Sequence, residues 1–223
     1  MDAIKAIFER YSTRDFKSDP VPGETLTKIL EAALRSPSSG NSQPWQIFVA
    51  GGEVTEKITG AYLDRFNKDI PGKPEIAGLP PPQWPQAMHE RMKQITRERQ
   101  KLLGIDPQDN VSMRAYREIG GRLFRAPVLV ILCMDKALTA FSAFDIGLLS
   151  QTIMLAARGY GVDSMIASAF VSYPDILRQE LGIPDNLQIV MGIGLGFQNP
   201  KSIINTYRSP RRALDEVVTF KGI

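Results

Sequence analysis

Apolar and polar residues follow two periods along the chain, and these predict helices that alternate with strands. Apolar residues three and four positions apart predict helices over 2–10, 24–35, 53–66, 113–124, 141–158 and 173–181. Short runs of branched and aromatic residues predict strands over 45–50, 127–134, 165–170, 187–194 and 217–220. Strands that alternate with helices favour an α/β arrangement over separate all-helical and all-strand blocks.

Residues 67–112 interrupt this pattern and are interpreted as an insertion outside the core of one domain, which spans 1–223. Six of the sixteen prolines lie within 71–85, which excludes a regular helix or a central strand there. Residues 91–101 predict a charged surface helix, because they carry little apolar stripe. The insertion is either a mobile excursion or a lid over a site, since long ordered loops are often functional. We favour the lid.

The composition narrows the classes of function. The 27 Lys and Arg residues against 24 Asp and Glu give a net charge of +3, without the clustered basic stripe of nucleic-acid-binding proteins. The single cysteine excludes an intrachain disulfide and suits a reducing compartment. The N-terminus lacks a signal-peptide pattern, and the longest apolar run, 126–134, is too short to span a bilayer. We therefore predict a cytoplasmic protein that binds neither nucleic acid nor membrane.

Several catalytic chemistries are excluded by what the sequence lacks. His89 is the only histidine and Cys133 the only cysteine, so an ordinary zinc site cannot form and we predict no metal. A Ser-His-Asp triad is disfavoured, because His89 lies in the insertion and no Gly-x-Ser-x-Gly elbow is present. The glycines of 192–196 lead into Gln198-Asn199-Pro200 and not into a helix, so they do not form a dinucleotide-binding fingerprint.

Three separate segments carry side chains suited to an anionic, planar cofactor. They are Arg10-Tyr11-Ser12-Thr13-Arg14, the loop 37–41, which is rich in hydroxyls and amides, and the basic stretch 208–212. Arginine forks and hydroxyls supply charge-assisted donors to phosphate and carbonyl oxygens. Each segment alone is also typical of a solvated basic turn, and only their combination favours a binding site.

The order of the motifs along the chain is more specific than any one of them. It comprises Arg-x-Ser-x-Arg at 10–14, Ser-Pro-Ser-Ser-x-Asn-Ser-Gln-Pro-Trp at 36–45, Leu-Gly-Ile-Pro at 181–184, Gly-x-Gly-x-Gly at 192–196 and a basic arm after residue 199. This order resembles the FMN-dependent nitroreductase family. The resemblance implies an α+β fold, an α/β/α sandwich in which helices flank a mixed, mostly antiparallel sheet. It also implies a homodimer with FMN at the subunit interface, in which the arm 199–223 embraces the partner and the C-terminal strand is exchanged.

The resemblance assigns cofactor-binding residues by position. Arg10 and Ser12 would meet the phosphate and ribityl end of FMN, Arg14 would face the N1–C2=O edge of the flavin, and the residues of 37–41 would come from the partner. The full set is Arg10, Tyr11, Ser12, Thr13, Arg14, Pro37, Ser38, Ser39, Asn41, Gln151, Ala167, Ser168, Gly194, Arg208 and Arg211. Arg211 matches the C-terminal phosphate arginine of the family, whereas Ser209 replaces a lysine that the family often has.

Two catalytic residues, Arg14 and Ser168, are implied by the same resemblance. A fixed Arg14 cation would stabilise the negative charge that reduction places on the flavin. Ser168 lies in the stretch whose backbone N–H contacts flavin N5. The family often has Pro-x-Glu-Gly-Phe there, and this chain has Ile-Ala-Ser-Ala-Phe at 166–170, so any role of the acidic side chain is lost. Trp84 and Tyr116 are candidates for the substrate pocket, although ordinary packing explains each equally well.

The function implied by the resemblance is two-electron reduction of nitroaromatic acceptors and also of quinones. NADPH or NADH would pass hydride to flavin N5, and a small aromatic acceptor would then take it at the same face in a ping-pong cycle. The cofactor carries this chemistry, so the scarcity of histidine is no objection. Reductive dehalogenation or flavin fragmentation on the same fold, and a non-enzymatic basic binding module, are the alternatives.

Overall fold

The computed structural model of the chain describes residues 2–76 and 83–223. The described helices are α1 (Ala3–Glu9), α2 (Gly23–Ala33), α3 (Gly52–Asn67), α4 (Gln86–Leu103), α5 (Asn110–Gly121), α6 (Ala140–Gly159) and α7 (Pro174–Leu181). The described strands are β1 (Trp45–Gly51), β2 (Val128–Asp135), β3 (Asp163–Ile166) and β4 (Leu187–Gly196). Each predicted helix is present, and the charged helix begins earlier than predicted, directly after Pro85. The prolines at 80–82 lie outside the described residues.

The four strands form one sheet in the order β1-β2-β4-β3. Along β2 the side chains alternate between two cores: Leu129 and Ile131 belong to one, and Val130 and Leu132 belong to the other. This strand reads as a continuous apolar run because both faces of the sheet are covered. The α+β fold is confirmed, and the three pairings among β1, β2, β3 and β4 are antiparallel.

Two layers of helices cover the two faces of the sheet. Helices α3 and α7 cover one face and bury Ile58, Tyr62 and Leu177. Helices α2 and α6 cover the other face and bury Ile29 and Leu149. These layers make the predicted α/β/α sandwich, and the apolar stripe of each helix faces the sheet as its period requires.

Helix α6 is long and apolar enough to cross a membrane by length and composition alone. Seven of its residues, Leu149 and Ile153 among them, are buried inside the domain. Packing against α2 and the sheet therefore accounts for one apolar face of α6. Its other face is exposed at Phe141 and Phe144, which are 66% and 65% accessible.

The strand predicted over 165–170 is shorter in the structure. Strand β3 ends at Ile166, and the chain then turns at Ser168–Val171 and inserts Phe170 against β4. A side chain at Gly192 would collide with Phe170, since its Cβ would lie 2.3 Å from that of the phenylalanine. The glycine therefore makes room for the aromatic ring where a longer β3 would otherwise continue.

The predicted final strand over 217–220 is wrong for the single chain. The C-terminal arm has a short 3₁₀ turn at Leu214–Glu216 and then irregular backbone. No described strand pairs with it, and an isolated strand would leave its backbone N–H and C=O groups unpaired. The branched and aromatic side chains that suggested the strand, Val217 and Phe220, are 55% and 61% exposed.

The first part of the predicted insertion, 67–112, contacts the core through Glu75. The Glu75 carboxylate accepts a hydrogen bond from the Arg178 guanidinium at 2.6 Å and another from the Ile189 backbone N–H at 2.8 Å. The side chains of this ion pair are only 20% and 17% exposed. Glu75 thus satisfies an N–H at the start of β4, where β2 pairs with one edge of the strand and β3 pairs only further along, at 193–196.

Candidate active site

Residues 10–14 leave α1 and run beside β3 at the edge of the sheet. Ser12 forms a parallel bridge with Ser164, and the Thr13 N–H donates to the Ser164 carbonyl at 2.9 Å. Phe16, which is 1% exposed, then buries its ring in the core. The polar motif is therefore fixed to the edge of the sheet by this bridge.

Asn205, in the 3₁₀ turn Ile203–Thr206, holds the backbone around Arg14. Its Oδ1 accepts the Arg14 N–H at 2.8 Å, and its Nδ2 donates to the carbonyls of Asp15 at 2.7 Å and Asn199 at 3.1 Å. The side chain is buried, so water does not compete for these hydrogen bonds. Both ends of one amide therefore fix the place where Arg14 leaves the backbone.

The Arg14 side chain lies in a buried and positively charged environment. One of its terminal nitrogens donates to the Ser12 carbonyl at 3.0 Å, and its guanidinium lies 5.6 Å from the centre of the Tyr207 ring. Its Nε is buried without a hydrogen-bond partner among the described residues. Burial, followed by the charge of Arg99, lowers the pKa of Arg14 to about 10. A bound anionic or carbonyl group would offset both costs.

A second group of arginines lies at Arg10, Arg208 and Arg211. Burial and then the charge of Arg211 lower the pKa of Arg10, so these two guanidiniums lie close enough to repel each other. Arg208 stacks 3.5 Å from the centre of the Tyr11 ring, and the Tyr11 hydroxyl donates to Gln198 at 2.6 Å. A bound phosphate would relieve the repulsion and accept several charge-assisted hydrogen bonds.

In the folded chain, the loop 37–41 lies far from the arginine motif. The Ser39 N–H donates to the buried Asp145 carboxylate of α6 at 3.3 Å. Arg158, which pairs with Asp163 beside the 10–14 segment, follows Asp145 by thirteen residues of the same helix. At 1.5 Å per residue the two places are about 20 Å apart. Within one chain, the predicted loop residues and the arginine motif are therefore separated.

Arg14 lines two adjoining cavities of about 300 and 200 Å³, which we call the cleft. Both cavities share Ile119, Phe124 and Ile204. The larger also has Asp15, Leu103, Ala115, Glu118, Arg122, Arg125 and Ser202, and the smaller also has Arg99, Tyr116, Arg117 and Gly120. The structure thus brings Tyr116 beside Arg14, whereas Trp84 lines neither cavity.

Phe124 enters the cleft from a strained turn. Leu123, Phe124 and Arg125 have φ values of 48°, 57° and 61°, and the left-handed conformation costs about 1–2 kcal/mol for each residue with a side chain. The Phe124 carbonyl accepts the Phe16 N–H at 3.1 Å, and Arg125 forms an ion pair with Asp15. These contacts to the chain beside Arg14 hold the turn in place.

The segment 167–169 borders the same cleft. A Cβ at Gly120, which lines the smaller cavity, would lie 3.9 Å from the Cβ of Ala169. The Ala167 N–H donates to the Gly192 carbonyl at 3.3 Å, whereas the Ser168 N–H has no acceptor among the described residues. Of these two predicted residues, only Ser168 therefore has a backbone N–H available to a ligand.

Gln151 and Gly194 are not among the residues that line the cleft. Gln151 is exposed on α6, seven residues after Phe144 and on the same face of the helix. Gly194 lies within β4, where a Cβ would come within 2.7 Å of both Ala126 and Phe170. Close packing of the core explains this glycine.

Asn205 and Tyr207, which contact the Arg14 backbone and side chain, were not predicted from the sequence, and Arg99 was not singled out from the other basic residues of the insertion. Arg99 belongs to the charged helix α4, where nothing in the sequence distinguishes it from its neighbours. Asn205 and Tyr207 lie in a stretch without periodicity, and the basic character of the arm after residue 199 was the one available signal.

The sheet order, the two helical layers and the cationic cleft at the sheet edge define an α+β protein of the nitroreductase fold. The chain belongs to the Nitroreductase family, whose sequence model matches residues 7–197. The match begins in α1 and ends just after β4, so it includes the arginine motif, the loop 37–41 and the segment 167–169.

Curated relatives and solved structures agree with this membership. The chain is 36% identical over 220 residues to the nitrobenzene nitroreductase of Ectopseudomonas oleovorans, covering 96% of this chain and 94% of that protein. It is 34% identical over 219 residues to the chloronitrobenzene nitroreductase of Comamonas testosteroni, with the same coverage of 96% and 94%. The FMN-dependent nitroreductase NfnB of Mycobacterium smegmatis, solved in complex with NADPH, superposes with a TM-score of 0.91 at 27% identity and covers 98% of this chain and 97% of its own.

Proposed function

We propose that this chain is an NAD(P)H-dependent, FMN-containing nitroreductase that reduces nitroaromatic acceptors and, by the same route, quinones. Family membership and the names of the two curated relatives support the nitroaromatic acceptor. Two solved NfnB nitroreductases that use FMN and NADPH, from Mycobacterium smegmatis and a Sphingopyxis strain, superpose with TM-scores of 0.91 and 0.92 and support these cofactors. When bound, FMN supplies the redox chemistry, while the protein supplies position and electrostatics.

The observation that carries the proposal is the buried guanidinium of Arg14 in the cleft. Its Nε lacks a partner among the described residues, and the charges that lower its pKa are those of other arginines. A cation fixed in advance stabilises negative charge on a neighbouring group without reorganising. Arg14 would serve the electron-accepting edge of the flavin in this way, and the available Ser168 N–H would donate to the flavin on the other side of its central ring.

The phosphate end of FMN would be held by the second group of arginines. Arg10 and Arg211 repel each other in the absence of an anion, and Arg208 is oriented by its stacking on Tyr11. Ser12 adds a hydroxyl on the same segment. The Thr13 hydroxyl is also buried without a partner among the described residues, which fits a segment built to receive polar ligand atoms.

The cofactor site is complete only in a homodimer in this proposal. The loop residues Pro37, Ser38, Ser39 and Asn41 lie about 20 Å along α6 from the arginine motif of their own chain, so they would serve the flavin of the partner. Several large apolar side chains of α1, α6 and the C-terminal arm are exposed: Ile4, Ile7, Phe8, Phe141, Phe144, Leu214, Val217 and Phe220. Exposed apolar patches mark protein interfaces, and Gln151 lies on the α6 part of this surface.

The C-terminal arm would supply the exchanged strand. Strand β1 is an edge strand of the described sheet, so one of its sides has no strand beside it. Such an edge is a template for pairing with another chain, and Val217–Phe220 of the partner have the composition of a strand. The segment would become ordered as a strand only when this pairing forms, which explains why it is irregular in one chain.

Helix α4 of the insertion would act as the lid over the cleft. The Tyr207 hydroxyl donates to Glu98 of α4 at 2.8 Å, so the helix rests on the arm that also carries Asn205. Trp84 precedes α4 and stays a candidate for the substrate pocket.

The single cysteine, Cys133, is buried, and burial raises the pKa of its thiol to about 12. This suits a cytoplasmic enzyme without disulfide chemistry.

Anaerobic stopped-flow absorbance tests the proposal. The purified protein is expected to carry FMN, NADPH should bleach the flavin absorbance, and nitrobenzene should restore it without oxygen. Arg14→Gln should slow the bleaching more than Arg14→Lys does, because lysine keeps the charge. A protein that binds no flavin, or a reduced protein that nitrobenzene fails to reoxidise, would contradict the proposal.

A further inference from the structure

The cleft carries a surplus of positive charge. Its charged lining comprises five arginines and two carboxylates: Arg14, Arg99, Arg117, Arg122, Arg125, Asp15 and Glu118. Both carboxylates are already paired, Asp15 with Arg125 and Glu118 with Arg122. Among the described residues, the other three arginines have no carboxylate partner. Arg14 is therefore the cation that would serve the flavin, and Arg99 and Arg117 remain available to another ligand.

Arg99 is the cation best placed to bind a ligand. It is half-buried on α4, and only its Nε is engaged, by the Ile95 carbonyl of the same helix at 3.2 Å. The adjacent Glu98 forms no ion pair with Arg99, and its two carboxylate oxygens accept the Tyr207 hydroxyl and the Gln94 amide, each at 2.8 Å. Both terminal nitrogens of Arg99 thus have no partner among the described residues.

Apart from Ser202, the remaining walls of the cleft are apolar or aromatic. Tyr116 and Phe124 supply ring faces, and Ile119 and Ile204 supply aliphatic surface. A planar aromatic ring suits such walls, since aromatic rings stack on one another and on flat apolar surface. The occupant that fits both the walls and the charge is an aromatic ring that bears an anionic substituent.

We propose that Arg99, assisted by Arg117, binds a carboxylate on the nitroaromatic acceptor, so that the enzyme selects nitrobenzoate-type acids over uncharged nitroarenes. This inference rests on the proposed function and assigns its substrate class. In the first two-electron turnover, NADPH and one proton reduce the nitro group to a nitroso group, and NADP⁺ and one water leave. The carboxylate takes no part in the reaction. A guanidinium binds it in a planar, two-point geometry that an ester or a hydrogen atom in its place cannot reproduce.

Steady-state kinetics of the holoenzyme with 4-nitrobenzoate and with its uncharged methyl ester test the inference. Arg99→Gln should lower kcat/KM for the acid by about 10- to 100-fold, the loss expected for one charge-assisted hydrogen-bonding group. The same variant should change kcat/KM for the ester by less than about twofold, and Arg99→Lys should recover part of the loss. Arg97→Gln is the matched control, because it removes the same charge from α4 at a groove that lies outside the cleft.

A binding measurement separates failure of this subsite from failure of the proposed function. Benzoate, which has no nitro group, should perturb the flavin absorbance of the oxidised holoenzyme, with a Kd that rises in Arg99→Gln and not in Arg97→Gln. If benzoate binds in this way but no nitroarene is reduced, the subsite stands and the nitroreductase function falls. Three results would overturn the subsite. They are equal losses of kcat/KM for the acid and the ester, weaker FMN binding in Arg99→Gln, and a loss of kcat/KM that appears with NADPH as the electron donor but not with NADH.

Discussion

Asn205 and Arg14 are 191 positions apart in the chain, yet the Asn205 Oδ1 accepts the Arg14 backbone N–H at 2.8 Å. The same amide donates to the Asp15 carbonyl, so one buried side chain binds the backbone at Arg14 and at the residue that follows it. The turn that carries Asn205 also packs against α4. The arginine motif, the C-terminal arm and the insertion therefore meet at one polar contact.

Asn205→Ala tests whether this contact positions Arg14. The change leaves the Arg14 N–H and two carbonyls without their partner, and we expect a loss of about 1–3 kcal/mol in the free energy of unfolding. We also expect weaker FMN binding, because the guanidinium is no longer held in one place. Thermal unfolding and fluorescence titration of the apoprotein with FMN measure the two effects.

Two further variants make the Asn205 test specific. Asn205→Asp keeps the acceptor for Arg14 and loses the donors to Asp15 and Asn199, so its FMN affinity should lie between those of the wild type and Asn205→Ala. Asn186→Ala, at an exposed amide that bonds Asp135, should leave FMN binding unchanged. If Asn205→Ala lowers stability but binds FMN as tightly as the wild type, Asn205 has no positioning role.

The charge of Arg14 should appear in the reduction potential of the bound flavin. Arg14→Gln removes a buried cation beside the group that gains electrons, and we expect the two-electron midpoint potential to fall by about 30–60 mV, which corresponds to roughly 1.4–2.8 kcal/mol. Spectroelectrochemical titration of the loaded protein measures this shift. Arg14→Lys should show a smaller change, and an equal potential in the wild type and the Gln variant would remove Arg14 from the redox role.

The Glu75–Arg178 pair should contribute to stability and not to catalysis. Arg178→Met leaves the mostly buried Glu75 carboxylate without its charge partner, and we expect a loss of about 3 kcal/mol in the free energy of unfolding. Glu75→Leu combined with Arg178→Met should cost less than Arg178→Met alone, because it buries no unpaired charge. Urea unfolding measures both variants, and a double variant less stable than the single one would contradict this reading of the pair.

The sequence predicted the elements whose periodicity is local. The run at Pro127–Met134 reads as a buried strand because both faces of β2 are covered, and the period of Gly23–Ala33 identifies the face of α2 that meets the sheet. The order of the arginine, loop and glycine motifs was enough to indicate the family. These features need only neighbouring residues in the chain to be recognised.

Contacts between distant segments could not be predicted in this way. Asn205 and Glu75 have their roles only because folding brings them to Arg14 and to the free edge of β4, and no local pattern marks either residue. The segment 217–220 has the composition of a strand, but a strand also needs a neighbour to pair with. The sequence pattern cannot show that the neighbour is absent from the same chain.

Removing the last ten residues tests the role of the C-terminal arm in assembly. A chain that ends at Ala213 keeps Asn205, Arg208 and Arg211 but loses the exposed Val217 and Phe220. We expect the fold of each subunit to persist and the Kd of the dimer to rise by at least about tenfold, since obligate interfaces depend on buried apolar area. Analytical ultracentrifugation measures the Kd, and an unchanged Kd would show that this segment lies outside the interface.

Hybrid dimers of two defective subunits test the central claim, an FMN site built from the arginine motif of one chain and the loop 37–41 of the other. One subunit carries Arg14→Gln and the other carries Asn41→Asp, an isosteric change that adds a negative charge in the loop. Each homodimer should reduce nitrobenzene poorly. In the hybrid, both defects fall in the same site and the second site is wild type, so about half of the wild-type activity per dimer should return. A hybrid no more active than the average of its two parent homodimers would contradict the shared site.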